Sequence, residues 1–244
     1  MIRYLSALLS IAALTVMPSR TMAQQFNLSE QAAHALIGVI AHEIGHAVIR
    51  EFDLPILGPE EDIAEDFSVV YVHKMMPHRA ERIVIARAQQ HLLDGQHAAK
   101  FSEYRDDDQR AYRNICILYG IDPDKYQNLV NQFNLSGEAA ANCRDFATEL
   151  ARSWRRVLRD LWMDEDFRIS EVGLFVDPDP RSQAFASSEV FEDAYGLLAA
   201  IDWHSRITLS LSQCDGTASW SRSRRTITLC SDYILRFQDQ LRDY

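Results

Sequence analysis

The sequence predicts an α+β fold that is predominantly helical, and three observations predict it. Apolar residues recur at helical spacing over most of the chain up to about residue 163. Two short β-branched runs, 207–211 and 226–230, stand near the far end. Between these regions, at 164–186, the composition shifts to Gly173 and the turn-rich Asp177-Pro178-Asp179-Pro180, which reads as an irregular segment.

The first helix is expected over 27–52. Asn27 with Glu30 three residues on makes a capping-box-like start. Ala32, Leu36, Ile37, Val39, Ile40, Ile44, Ala47 and Val48 cover more than one face, as in a helix buried in a core. Asp53-Leu54-Pro55 ends it, and a second helix runs over 60–74 until Pro77. Residues 78–113 read as largely helical, with a loop near Asp94-Gly95. The apolar run 115–119 precedes a turn at Gly120-Ile121-Asp122-Pro123, and helices follow at 125–133 and 138–163. Beyond the irregular segment a helix is expected at 188–200. The two β-branched runs, joined by a polar loop with Asp215-Gly216, read as a C-terminal hairpin, and a last helix spans 233–241.

Residues 1–23 read as an export signal. Met1-Ile2-Arg3 is basic, 5–16 is apolar, and Thr21-Met22-Ala23 offers small residues for cleavage before Gln24. The apolar run is too short for a membrane span. No Cys follows it closely, so no lipid anchor is expected. Removing these 23 residues, which carry Arg3 and Arg20 and no acid, leaves 221 of 244 and moves the net charge from −10 to −12. Such a chain repels phosphate backbones, so nucleic acid is excluded as a partner. Its densest basic stretch, Arg152 to Arg159, reads as the solvated face of an amphipathic helix. The expected organisation is a core over 24–165 with a C-terminal part, 166–244, packed on it as one domain. Four cysteines in an exported chain point to disulfides, and pairing in chain order gives Cys116–Cys143 and Cys214–Cys230, the latter closing the hairpin. No CxxC pair is present, which disfavours a thiolate zinc site.

The chemistry lies in His42-Glu43-Ile44-Gly45-His46. On a helix, histidines four apart share a face, so both imidazoles reach one ion. Glu43, about 100° round from His42, suits a carboxylate that touches metal-bound water and serves as general base. Two histidines and a glutamate inside so apolar a helix would cost several kcal/mol without a shared partner, and a metal ion removes that cost. A catalytic zinc takes three protein ligands and keeps one position open. The acidic run 60–66 supplies the third. Glu61 is assigned to the metal and Glu65, four residues on, to the free N–H of a ligand histidine. Asp62 and Glu65 are the alternative ligands, and the run also suits a helix start favoured by the dipole.

An HExxH followed by Glu61 and by an acid four residues later resembles the gluzincins, the thermolysin-like clan. The chain resembles more closely a bacterial zinc-metallopeptidase family long classed as a domain of unknown function. The resemblance covers about residues 36 to 160. It rests on His42-Glu43-Ile44-Gly45-His46-Ala47, Leu54-Pro55-Ile56-Leu57-Gly58, Glu60-Glu61-Asp62, Gln109-Arg110, Asn114-Ile115-Cys116, Tyr119-Gly120 and Asp122-Pro123. It implies a zincin-like fold, zinc on His42, His46 and Glu61, and a catalytic Glu43. Glu65 stands where the family pattern has Asp.

In zincins a sheet edge beside the active-site helix pairs with extended substrate. Here the C-terminal hairpin is expected to pack beside the HExxH helix and supply that edge, with a separate accessory hairpin as the alternative. Tyr104, Tyr112, His97 and His204 are the candidate oxyanion donors, none preferred. His34, His73, His78 and His91 lack ligand spacing and read as ordinary, and the four tryptophans read as core. The expected activity is zinc-dependent hydrolysis of peptide bonds in a peptide or protein substrate, in the periplasm or outside the cell. The rivals are an envelope module that binds zinc without catalysis and a domain whose motif is accidental.

Overall fold

A computed structural model describes residues 26–95, 106–162 and 172–242. The export signal expected at 1–23 lies outside them. The order of elements is α1 (Glu30–Glu51), α2 (Glu60–Met75), α3 (Ala80–Gly95), α4 (Asp107–Ile121), α5 (Asn128–Gln132), α6 (Gly137–Leu158), β1 (Val172–Val176), α7 (Pro180–Ala186), α8 (Phe191–Ala199), β2 (Ile207–Ser212), β3 (Ala218–Ser221), β4 (Thr226–Cys230) and α9 (Ser231–Leu241). The architecture of the described residues is α+β, mostly helical, with a small mixed sheet.

α1 is the spine. It is long and apolar enough to cross a membrane, but here it is buried along nearly its whole length by protein. α2, α3, α8, α9, β3 and β4 all pack on it. Its cap is Ser29, whose hydroxyl accepts from the Ala32 N–H at 3.2 Å, rather than the expected Asn27. The Ser29 N–H donates to Gln238 of α9 at 2.6 Å, a tertiary tie that local sequence does not announce.

After α1 the chain reverses through 52–59, with Asp53 in the left-handed region at φ 47°. α2 then returns antiparallel alongside α1: Glu60 meets His46, and Glu65 meets His42. α3 and α4 pack on each other, and each also packs on α2. The apolar run 115–119, expected to stand before a turn, is the second half of α4. That helix crosses α6 so closely that a Cβ on Gly120 would lie 2.2 Å from the Cys143 carbonyl oxygen. The Cys116–Cys143 disulfide clamps the same crossing. α6 itself ends at Leu158, short of the expected 163.

The C-terminal part differs most from expectation. Part of the segment read as irregular contains β1 and α7, the latter capped by the Asp179 carboxylate. The expected hairpin of 207–211 with 226–230 does not form, because β2 and β4 run parallel. The strand order is β1-β2-β4-β3, with β1 parallel to β2 and only β3 antiparallel to β4. Parallel neighbours need a crossover, and β3, a polar strand read as loop in the sequence, provides it. The Cys214–Cys230 disulfide joins the chain just after β2 to the end of β4.

The sheet holds α1 from behind. Arg225, just ahead of β4, donates to Glu51 at 3.1 Å. Glu51 is nine residues beyond His42, hence about 180° round the helix. Arg222 likewise reaches Asp53 at 3.0 Å.

Candidate metal centre

The α1–α2 hairpin creates the site. The second half of α1 carries His42 and His46, and the first two turns of α2 carry Glu60, Glu61 and Glu65. Gly45 lets the two backbones approach: a Cβ there would sit 3.0 Å from the Cα and carbonyl oxygen of Ala64 and from the Phe67 ring. Any larger residue would push away the helix that carries the carboxylates.

Three donors converge. The Nε2 atoms of His42 and His46 are 3.1 Å apart. Glu61 places Oε2 at 3.3 Å from His42 Nε2 and Oε1 at 3.4 Å from His46 Nε2. His42, His46 and Glu61 form a group in which one ligand atom from each lies within 4.8 Å of the others. Asp62 and Glu65 are not members of that group.

Both imidazoles are held from behind by a second carboxylate. His42 Nδ1 lies 2.9 Å from Glu65 Oε2, and His46 Nδ1 lies 2.7 Å from Glu60 Oε1. A carboxylate accepts only, so His46 Nδ1 carries a proton toward Glu60, and its Nε2 faces Glu61 and His42 Nε2. The His42 contact is close but bent away from regular hydrogen-bond alignment.

Glu65, which is 3% exposed, is the hub of a buried polar network. Arg87 of α3 grips it with Nε to Oε1 at 3.3 Å and Nη2 to Oε2 at 3.1 Å. His91 Nε2 contacts Oε1 at 2.9 Å, and Asn114 of α4 donates to the same oxygen at 2.8 Å. Arg110 lies further out, with Nη2 3.7 Å from Glu65 and 3.9 Å from Glu61. Four helices therefore meet at one carboxylate. Unpaired, it would be costly to bury; fully satisfied, it makes the geometry rigid.

Charge sets the proton affinities. Burial pulls the His42 imidazole down, but Glu61 and Glu65, with Glu43 adding, overcome it and raise its pKa to about 9. His42 and His46 hold the Glu61 carboxyl far below the usual range. Burial pushes Glu65 up, yet Arg87, His91 and His42 keep it well below an ordinary glutamate. Glu43 goes the other way: burial raises it, and the positive field of His42 and His46 only partly offsets that.

The chain matches a family model over residues 11–158, for a family (DUF4344) described as "Putative metallopeptidase". The match spans α1 to α6 and so contains every residue of the cluster. The chain belongs to this family. No curated protein and no solved structure matches it. For this metallopeptidase family member, the description carries a metal-dependent peptidase at the coarse level, and the His-His-Glu group is a place where a metal ion fits.

Other candidates from the sequence sit elsewhere. The Tyr112 hydroxyl is 3.8 Å from Cys143 Sγ and its side chain faces solvent. His204 packs edge-on against Phe52, beyond the end of α1. Tyr104 and His97 lie outside the described residues. His91, read as ordinary, is a direct partner of Glu65; Arg87 and His91, four apart on α3, present one face to it. Glu60, Arg50 and Asn114 carry no spacing signal of their own, and each finds its partner on a neighbouring helix.

Proposed function

We propose that the chain is an exported zinc peptidase in which His42, His46 and Glu61 hold the ion and Glu43 is the general base. The observation that carries this reading is the convergence of His42, His46 and Glu61, one ligand atom from each within 4.8 Å of the others, with the two Nε2 atoms 3.1 Å apart and each facing a Glu61 oxygen. Two imidazole nitrogens and a carboxylate oxygen are the donor types of a catalytic zinc site. Two imidazole nitrogens argue against calcium and magnesium, which take oxygen donors.

Zinc bound there supplies a Lewis acid that brings the pKa of water toward neutrality. The protein does the rest. Glu65 and Glu60 keep both Nε2 lone pairs aimed at the ion. Glu43, about 100° round from His42, takes the proton from the attacking water and passes it to the leaving amine. Glu65 is a positioning residue, its oxygens already engaged by Arg87, His91 and Asn114. Two disulfides fit an oxidising compartment, in keeping with export.

Metal analysis of the purified chain should find about one zinc, lost in His46→Ala. Glu43→Gln should keep the zinc and lose peptide hydrolysis. A metal-free wild type, or full hydrolysis by Glu43→Gln, ends this reading. Zinc retained with no peptide cut by the wild type would instead select the non-catalytic envelope module, which the burial of His42, Glu43 and His46 at 6–7% exposure favours.

A further inference from the structure

The two histidines are braced by carboxylates of different character. Behind His42 stands Glu65, sealed in the interior. Behind His46 stands Glu60, with a side chain 24% exposed, 2.7 Å from His46 Nδ1. Glu60 Oε1 also accepts from Arg50 Nε at 2.7 Å, and the Arg50 side chain is 49% exposed. Arg50 follows His46 by four residues on α1, so imidazole and guanidinium rise from one face of the helix and close on a single oxygen. Glu60 is the first residue of α2, whose Pro59 cap offers no side-chain acceptor. Free backbone N–H groups there favour a carboxylate.

We propose that Glu60, fixed by Arg50, is the positioning residue of His46. It holds the proton on Nδ1 and thereby presents Nε2 to the metal position. The proposal deepens the zinc-site reading and rests on it for the metal, though not for the state of the ring. The brace behind His46 is thus a partly exposed ion pair, whereas the brace behind His42 is enclosed. Glu60 serves as a brace and not as a fourth ligand, because its contact is to Nδ1, the nitrogen turned away from Glu61 and His42 Nε2.

Two readouts test this, and one needs no metal. In the metal-free protein, nitrogen-15 NMR of the His46 ring should show the Nδ1–H form, lost or scrambled in Glu60→Ala. In zinc titration against a chromophoric chelator, Glu60→Ala should weaken binding by about 10–100-fold, the usual effect of removing such a partner. Glu60→Gln, whose amide oxygen still accepts from Nδ1–H, should recover most of that loss, and Arg50→Ala should cost only a few-fold. Unchanged His46 signals together with zinc affinity within twofold of wild type in Glu60→Ala overturn the proposal. So does complete loss of zinc stoichiometry in that variant, matching His46→Ala, because Glu60 would then be a ligand. A wild type that binds no zinc but whose His46 tautomer depends on Glu60 sinks the zinc reading and leaves the positioning role standing.

Discussion

The helical part, α1 to α6, and the part from β1 to α9 solve opposite problems. In the first, polar side chains are buried at the centre: Glu65, Arg87, His91 and Asn114 are each under 9% exposed, and the last three all bond to Glu65. In the second, most buried strand positions are apolar, as at Ile207, Leu209, Leu211, Ile227 and Leu229, with Ser210 a polar exception. Ion pairs such as Arg181–Asp232 lie there at the surface. The family match ends at residue 158, so it covers the first part and none of the second. The lesson is one of division of labour: one part holds charges in place, and the other closes the back of α1 with apolar surface.

The comparison breaks most visibly at Glu65. Glu65→Ala leaves Arg87 and His91 facing an empty interior, and losing one partner of a buried pair costs about 3–5 kcal/mol. Chemical denaturation should show that loss together with failed zinc binding. A change below about 1 kcal/mol would show the network is not holding the helices together.

The disulfides sharpen it next. They close sequence separations of 27 and 16 residues. Loop-closure entropy depends weakly on length, so replacing either pair by serines should cost a similar ~3–4 kcal/mol. Only loss of Cys116–Cys143 should also weaken zinc binding, because α4 carries Asn114 and Arg110. Equal effects on zinc from both pairs would erase the proposed division.

A smaller effect concerns acid. His34, near Glu30, Arg82 and Arg79, and His73, near Lys125, Asp122 and Tyr126, are both held below 6.5 in the fold, chiefly by burial. The unfolded chain therefore takes up their protons first. Their neutral forms support folding above pH 6.5, and that support drains away as pH falls from 6.5 toward the folded values. His34→Gln and His73→Gln should each flatten the fall in melting temperature below pH 6.5. An unaltered slope in both would refute the assignment.

Smallest of all is Arg222→Ala. Its pair with Asp53 is exposed on both sides, at 55% and 78%, and such pairs contribute about 0–1 kcal/mol. Melting temperature and zinc affinity should both stay near wild type; a clear drop in zinc affinity would tie the sheet directly to the metal centre.

Legibility in the sequence followed the range of each interaction. The HExxH motif, the acidic run and most helices were readable because their spacing repeats within a few residues. The position of Glu61 beside the histidines was readable because a short loop after a helix returns the chain to its own face. β1 was not, since Val172-Gly173-Leu174-Phe175-Val176 lacks alternation, and Leu174 and Phe175 remain exposed at a sheet edge. Alternation identified β2 and β4 as strands but said nothing about which strand each would pair with. Arg87 and His91 carry no signal one by one because their partner lies on another helix, and Asn114, though part of the family resemblance, shows no contact in sequence for the same reason.

What the sequence by itself determined is the local chemistry: two imidazoles a turn apart, a glutamate between them and carboxylates just after the next turn. The chain-order cysteine pairs were readable in the same way. Only the tertiary structure decided which carboxylate meets which nitrogen, that His42, His46 and Glu61 converge, and that β2 and β4 run parallel. The reason is physical. Helix and turn periodicity act over a few residues, whereas the balance of buried charge at Glu65 is struck by four helices that meet only once the chain has folded.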